Sequence, residues 1–229
     1  MAAALGWGAL AASSLVIGAL ASVVARWPEW LVGLVLAFGA GALIAAVSFE
    51  LAQEGVEIAG AGPVGVGFAL GAVTYFALDG LVERGQSDPA SALALGAFLD
   101  GIPEQLVLGL GLAAGDGVSI ALLGAIFVSN LPEAIGSATE MRAKGRRRET
   151  VLRLWIAVAV VCTLASVVGF AVADSLSGDL EGGFNGFAAG ALLVMLADSM
   201  IPDARKAGRT AGLATAVGFA VAAGLSSLS

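Results

Sequence analysis

The chain reads as long apolar runs broken at short intervals, with no stretch in which apolar and polar residues alternate. Eight runs can be marked, at 4–25, 31–53, 63–83, 91–113, 118–140, 151–173, 184–203 and 208–228. Each is close to the roughly 20 apolar residues that an α-helix needs to cross the hydrocarbon core of a bilayer. A membrane-spanning barrel would instead alternate polar and apolar positions over about 10 residues per strand. The breaks carry turn chemistry: Trp27-Pro28-Glu29, Gly60-Ala61-Gly62-Pro63, Ser87-Asp88-Pro89 and Gly115-Asp116-Gly117. The pattern predicts an all-α polytopic membrane protein, an eight-helix bundle forming one transmembrane domain over residues 1–229. The first run has no basic residue before Arg26 and no clear stop before the second, so it reads as a helix rather than a cleaved leader.

Composition strengthens this picture. Of 229 residues, 59% are hydrophobic and 13% charged, against about 25% charged in a soluble domain. Mean hydropathy is +0.95. Eight spans use nearly the whole chain, which leaves no room for a soluble domain. Charge then adds orientation. All eleven Lys and Arg residues fall in or beside odd-numbered connections: Arg26, Arg84, the group Arg142, Lys144, Arg146, Arg147, Arg148 and Arg153, and the group Arg205, Lys206 and Arg209. Even-numbered connections carry Glu57, Asp116, Asp174, Asp179 and Glu181. The positive-inside rule places the odd connections in the cytoplasm and both termini outside an inner or plasma membrane. The basic run 142–148 reads as this topology signal, and no nucleic-acid partner is expected.

Part of the acidic excess lies within the runs: Glu50, Asp79, Asp100, Glu104, Glu133 and Asp198, with Glu54 near a helix end. Ionised carboxylates at membrane depth are costly and usually mark ion or substrate pathways; the alternative is protonation or hydrogen bonding in helix packing. The fourth run reads Asp100-Gly101-Ile102-Pro103-Glu104 and the fifth Ser129-Asn130-Leu131-Pro132-Glu133. Asp100 and Glu104 are four residues apart, as are Ser129 and Glu133, so each pair shares a helical face. Each Pro frees the carbonyl four residues before it, that of Leu99 or Val128. Brought face to face, the clusters would offer three carboxylates, an amide and a hydroxyl, an oxygen-rich cage suited to a divalent cation.

These motifs resemble those of the Zrt/Irt-like (ZIP) divalent-metal transporters, whose fourth helix commonly reads His-Asn-x-Pro-Glu and whose fifth ends in x-Pro-Glu. Gly186-Phe187-Ala188-Ala189-Gly190-Ala191-Leu192, followed by Asp198 and Ile201-Pro202-Asp203, is similar to the seventh helix of the short-loop bacterial branch. The resemblance implies that Asp100, Gly101 and Glu104 occupy the ligand positions of helix 4 and Ser129, Asn130 and Glu133 those of helix 5; the carboxylates Glu50 and Asp198 are candidate further ligands from helices 2 and 7. It also implies influx, a homodimer, and a 3+2+3 arrangement of helices. No prosthetic group is expected; the metal ion is cargo. The chain departs from the family at Asp100, Gly101 and Ser129, where His, Asn, and His or Gln are usual, and it contains no His. Ser199 stands where Glu is frequent, and Leu43 where Met is common. Without imidazole or thiolate, the set shifts toward harder ions such as Mn²⁺, Fe²⁺ or Mg²⁺, while carboxylates still bind Zn²⁺.

An internal repeat fits a transporter. Residues 38–43 match 187–192, and extending the match pairs Glu54 with Asp203; runs 2 and 7 cross in opposite directions, as inverted repeats do. Chance likeness between Ala/Gly-rich helices is the alternative. Gly67 and Gly71, Gly111 and Gly115, Gly186 and Gly190, and Gly208 and Gly212 have the G-x-x-x-G spacing of close helix contacts. Cys162 is single, which excludes an intrachain disulfide. Enzymatic readings fare poorly: zinc-protease and Ser-His-Asp chemistry both need His. An intramembrane aspartyl hydrolase using Asp100 and Asp198 would leave the repeated Pro-Glu unexplained. A metal sensor that keeps a site without a path is the nearer rival.

Overall fold

The computed structural model describes residues 1–25, 27–84, 89–114 and 120–227, with side chains outside 82–100, 114 and 121. Among the described residues the chain is helical throughout, with no strand. The helices in chain order are α1 (Ala2–Val24), α2 (Glu29–Ala59), α3 (Ala61–Arg84), α4 (Pro89–Ala114), α5 (Ile120–Ala143), α6 (Arg148–Ala173), α7 (Gly178–Ala207) and α8 (Thr210–Ser226). Each overlaps one of the predicted runs; α2 and α7 extend furthest beyond them. Gly60 and Gly208 end α2 and α7 at positive φ, 76° and 66°, a conformation that favours residues without a Cβ. The Ser177 hydroxyl caps α7 by accepting from the N–H of Leu180.

Five helices among the described residues are long and apolar enough to cross a membrane: α1, α2, residues 61–81 of α3, α6 and α7. The protein is thus a helical membrane protein with several spans. Two of the others, α8 and α5, fall short for physical reasons. α8 has 17 residues, about 25 Å of helix, and α5 carries Ser129, Asn130, Pro132, Glu133 and Glu140 within its length. In α4 the described side chains form an apolar stretch over Gly101–Ala113. Apolar faces turned outward agree with a lipid surround. Val66, Leu70, Val73 and Phe76 lie exposed along one side of α3, and Ile156, Val160, Leu164 and Val168 along one side of α6. Their spacing of three and four residues is a helical stripe.

The helices sort by packing into two groups. In one, α1, α4, α5 and α6 all touch one another; in the other, α2 packs on α7 and α8, and α7 on α3. Contacts of α2 with α5, α4 with α7, α5 with α8 and α3 with α4 join the groups. Exchanging α1 with α6, α2 with α7, α3 with α8 and α4 with α5 leaves this pattern of neighbours unchanged. The core follows the grouping only in part, since residues of α1, α4 and α5 join the larger cluster. One apolar cluster gathers Leu43, Leu51, Ile126, Leu192, Met195, Leu196 and Met200; the other gathers Leu15, Met141, Trp155, Val158 and Cys162.

The repeat seen in the sequence recurs in the backbone. α2 turns π-helical at Val47 and α7 at Leu196, positions 149 residues apart, the same separation as 38 from 187. π segments place an extra residue in a helix and are frequent at functional sites. The glycine contacts repeat as well. A methyl on Gly190 would strike the Phe68 carbonyl and the Ala72 N–H of α3, and one on Gly41 the Thr215 carbonyl and the Phe219 N–H of α8. Likewise Gly71 meets the carbonyl of Phe187 and Gly218 that of Phe38. Gly67 and Gly186 also sit in the α3–α7 contact, as the G-x-x-x-G reading expects. Gly111, Gly208 and Gly212 do not: among the described residues, a Cβ on any of them meets nothing within 4 Å. Gly208 serves the turn instead, and Gly115 lies outside the described residues.

α2 and α7 run antiparallel, since Gly33 abuts Ala204 and Ala207 while Gly55 and Ala59 abut Gly182. Arg142 donates to the carbonyls of Ser22 (2.7 Å) and Val23 (3.3 Å), tying the end of α5 to the end of α1. Connections 1–2, 5–6 and 7–8 therefore sit at one end of the bundle, with the basic residues of 142–148 and 205–209. Connections 2–3 and 6–7 meet at the other end, where Ile58 approaches Gly178. Glu54 and Asp203 fall at opposite ends accordingly.

Candidate functional site

The segments bearing the two Pro-Glu motifs lie inside the bundle. Both helices continue through their prolines, Pro103 in α4 and Pro132 in α5. Glu104, Gln105, Ser129 and Asn130 are all buried, at 1%, 0%, 1% and 2% exposure. Asn130 Nδ2 donates to Glu104 Oε2 at 3.4 Å, so the two motifs meet across the α4–α5 contact. An amide donor suits an ionised carboxylate and fixes its orientation. The Ser129 hydroxyl donates back to the Ile126 carbonyl at 3.0 Å, leaving its lone pairs to accept or ligate.

A third helix closes on this point because of one missing side chain. A Cβ on Gly39 of α2 would lie 3.1 Å from Ser129 Cα, 3.3 Å from the Val128 carbonyl oxygen and 3.0 Å from Met200 Cε. The carbonyl that Pro132 deprives of its intrahelical donor thus faces Gly39. Met200, buried in α7, brings a flexible thioether side chain to the same spot. The motif reading did not single it out.

The remaining predicted residues are placed less centrally. Glu133 is half-buried one turn beyond Ser129 on α5, and Glu50 is half-buried on the π segment of α2. Asp198 is exposed on the π segment of α7. The side chain of Asp100 lies outside the described residues. Among the described residues no three of Asp, Glu and Cys converge on a single point, so the pair joined here is Glu104 with Asn130, and Ser129 is their buried neighbour. Gln105 is a buried polar group that the motif reading passed over; an amide directly after a mid-run Glu was its signal. The arrangement offers carboxylate, amide and hydroxyl oxygens in a low-dielectric interior, a donor set for a hard or borderline cation.

No family model matches the chain. A curated protein of Arabidopsis thaliana named "Putative zinc transporter" is 28% identical over 208 residues, which make up 85% of this chain and 33% of that protein. The chain spans about a third of the length of this relative. Over most of its own length, then, it is similar to about a third of a protein named as a zinc transporter.

Proposed function

We propose that this protein carries divalent metal ions across a membrane through a site between α4 and α5, acting as a carrier rather than an enzyme. The observation that carries the reading is the buried Asn130–Glu104 contact, which unites two Pro-Glu motifs in the interior of a helical membrane protein. A buried carboxylate oriented by an amide is costly as a packing device and apt as a cation ligand. Glu104 and Glu133 are the principal ligands, with Asp100, Ser129 and Asn130 completing the shell and Glu50 and Asp198 serving from the π segments. All eight helices cross the bilayer as a 3+2+3 inverted repeat. Support for this comes from the shared separation of 149 residues and from the exchange symmetry of the packing. The similarity to the ZIP family and to the plant protein's name favours zinc as one cargo. The His-free oxygen set extends the range to Mn²⁺, Fe²⁺ and Mg²⁺. Influx and a homodimer follow from the same resemblance.

A metal panel in proteoliposomes of the purified protein tests the reading. Uptake of at least one of Zn²⁺, Mn²⁺, Fe²⁺ and Mg²⁺ above protein-free vesicles is the expected result. A folded, correctly inserted protein that moves none of them would refute transport and leave a sensor or another role.

Orientation is tested separately. A cysteine at Arg147, in the Cys162→Ser background, should react with an impermeant maleimide only from the cytoplasm. One at Asp179 should react only from outside, because the basic residues share one end of the bundle. Labelling of both from the same side would overturn the alternation of spans.

A further inference from the structure

Outside the Glu104–Asn130 contact, the four-helix group α1, α4, α5 and α6 encloses a second polar feature. Gln105 of α4 is fully buried, and neither its Nε2 nor its Oε1 has a hydrogen-bond partner among the described residues. Its Oε1 lies 3.4 Å from the point where Gly8 of α1 would carry a Cβ, and the Ser166 hydroxyl of α6 borders that same point. Ser166 is also fully buried and donates to the Ala4 carbonyl at 2.8 Å, which leaves its oxygen lone pairs able to accept. Three helices therefore bring together a primary amide, a hydroxyl acceptor and a backbone carbonyl, in front of a residue with no side chain.

The chemistry of the amide selects the ligand. A cation would satisfy Oε1 alone and repel the two N–H donors, and an anion would do the reverse. Water accepts from Nε2 and donates to Oε1, and it can donate further to Ser166 Oγ, giving it the two to four polar partners that buried waters have. We propose that α1, α4 and α6 enclose a buried water site held by the Gln105 amide and the Ser166 hydroxyl. Gln105 directly follows Glu104, with Cα atoms about 3.8 Å apart. The bound water thus stands beside the segment where an ion would shed its hydration shell. The inference itself does not depend on the transport reading.

Radiolytic hydroxyl-radical footprinting of the purified full-length protein in nanodiscs tests it, because buried residues are oxidised only where water adjoins them. Cys162 is the reporter. It is fully buried one turn before Ser166, and its Sγ lies 2.6 Å from the Cβ position of Gly101, one turn before Gln105. Rapid oxidation of Cys162 is expected in the native protein, falling at least severalfold in Gln105→Leu. Thermal unfolding supplies the second arm. In a dry site, Leu would remove two unmet polar atoms and raise the melting temperature; at a water site it removes two hydrogen bonds and lowers it. A native Cys162 protected from oxidation, labelling undiminished in Gln105→Leu, or a raised melting temperature of that variant would each overturn the proposal. The native footprint alone decides the matter should the variant fail to fold.

Discussion

Uptake of divalent ions should fall to background in Glu104→Ala and in Glu133→Ala, while both variants remain in the membrane at native abundance. Glu104 is the sharper case. It is buried at 1% exposure and receives the Asn130 amide, so its removal takes away a ligand, a compensating charge and the partner of a buried donor. Loss of groups that merely orient metal ligands costs about 10–100-fold in affinity, and loss of a carboxylate ligand should cost at least as much. Glu104→Gln separates charge from shape: it retains a polar partner for Asn130 but no negative charge, and it should be as inactive as the alanine variant. Normal flux through folded Glu104→Ala protein would remove the proposed site, and flux through Glu104→Gln would remove its charge from the mechanism.

The second large effect concerns packing and has a sign that depends on position. Gly71→Ala and Gly190→Ala should destabilise the protein, because each added methyl meets a backbone carbonyl of the neighbouring helix, that of Phe187 or of Phe68. A carbonyl held in its own helix cannot swing aside as a side chain can, so α3 and α7 must separate. Overpacking of this kind costs about 1–3 kcal/mol, which exceeds the roughly 1 kcal/mol that Ala gains over Gly in helix propensity. Gly111→Ala and Gly212→Ala should do the opposite, since among the described residues nothing lies within 4 Å of either Cβ position and only the propensity gain remains. Thermal unfolding in one detergent would show the contrast. Equal shifts at all four positions would mean that the α3–α7 approach does not rest on its glycines.

What the sequence by itself determined here is what the solvent imposes. Lipid cannot pair with a backbone, so runs of about 20 apolar residues must be helices, and the marked runs coincide with helices to within a few residues at most ends. The segregation of Lys and Arg carried the end-to-end order, because charges near helix ends stay in water on one side. The match of 38–43 with 187–192 carried the repeat, since the same small residues serve the same close contacts in both halves. Position along a helix likewise put Glu104 and Asn130 in the middle of their helices, where the structure buries both.

Only the tertiary structure decided which of these residues meet. G-x-x-x-G spacing is local and says nothing of a neighbour, so Gly67, Gly71, Gly186 and Gly190 turned out to share one contact while Gly111 and Gly212 meet none of the described residues. The same holds for the acidic residues. Spacing along one helix could not tell that Glu104 turns toward Asn130 while Asp198 lies exposed on a π segment. The extra residue of a π turn shifts the faces that follow it by a step that no α-helical period contains. Gln105, whose amide chemistry was plain in the sequence, became informative only once α1 and α6 had closed around it and removed bulk water, since an unpaired amide is costly only where it is buried.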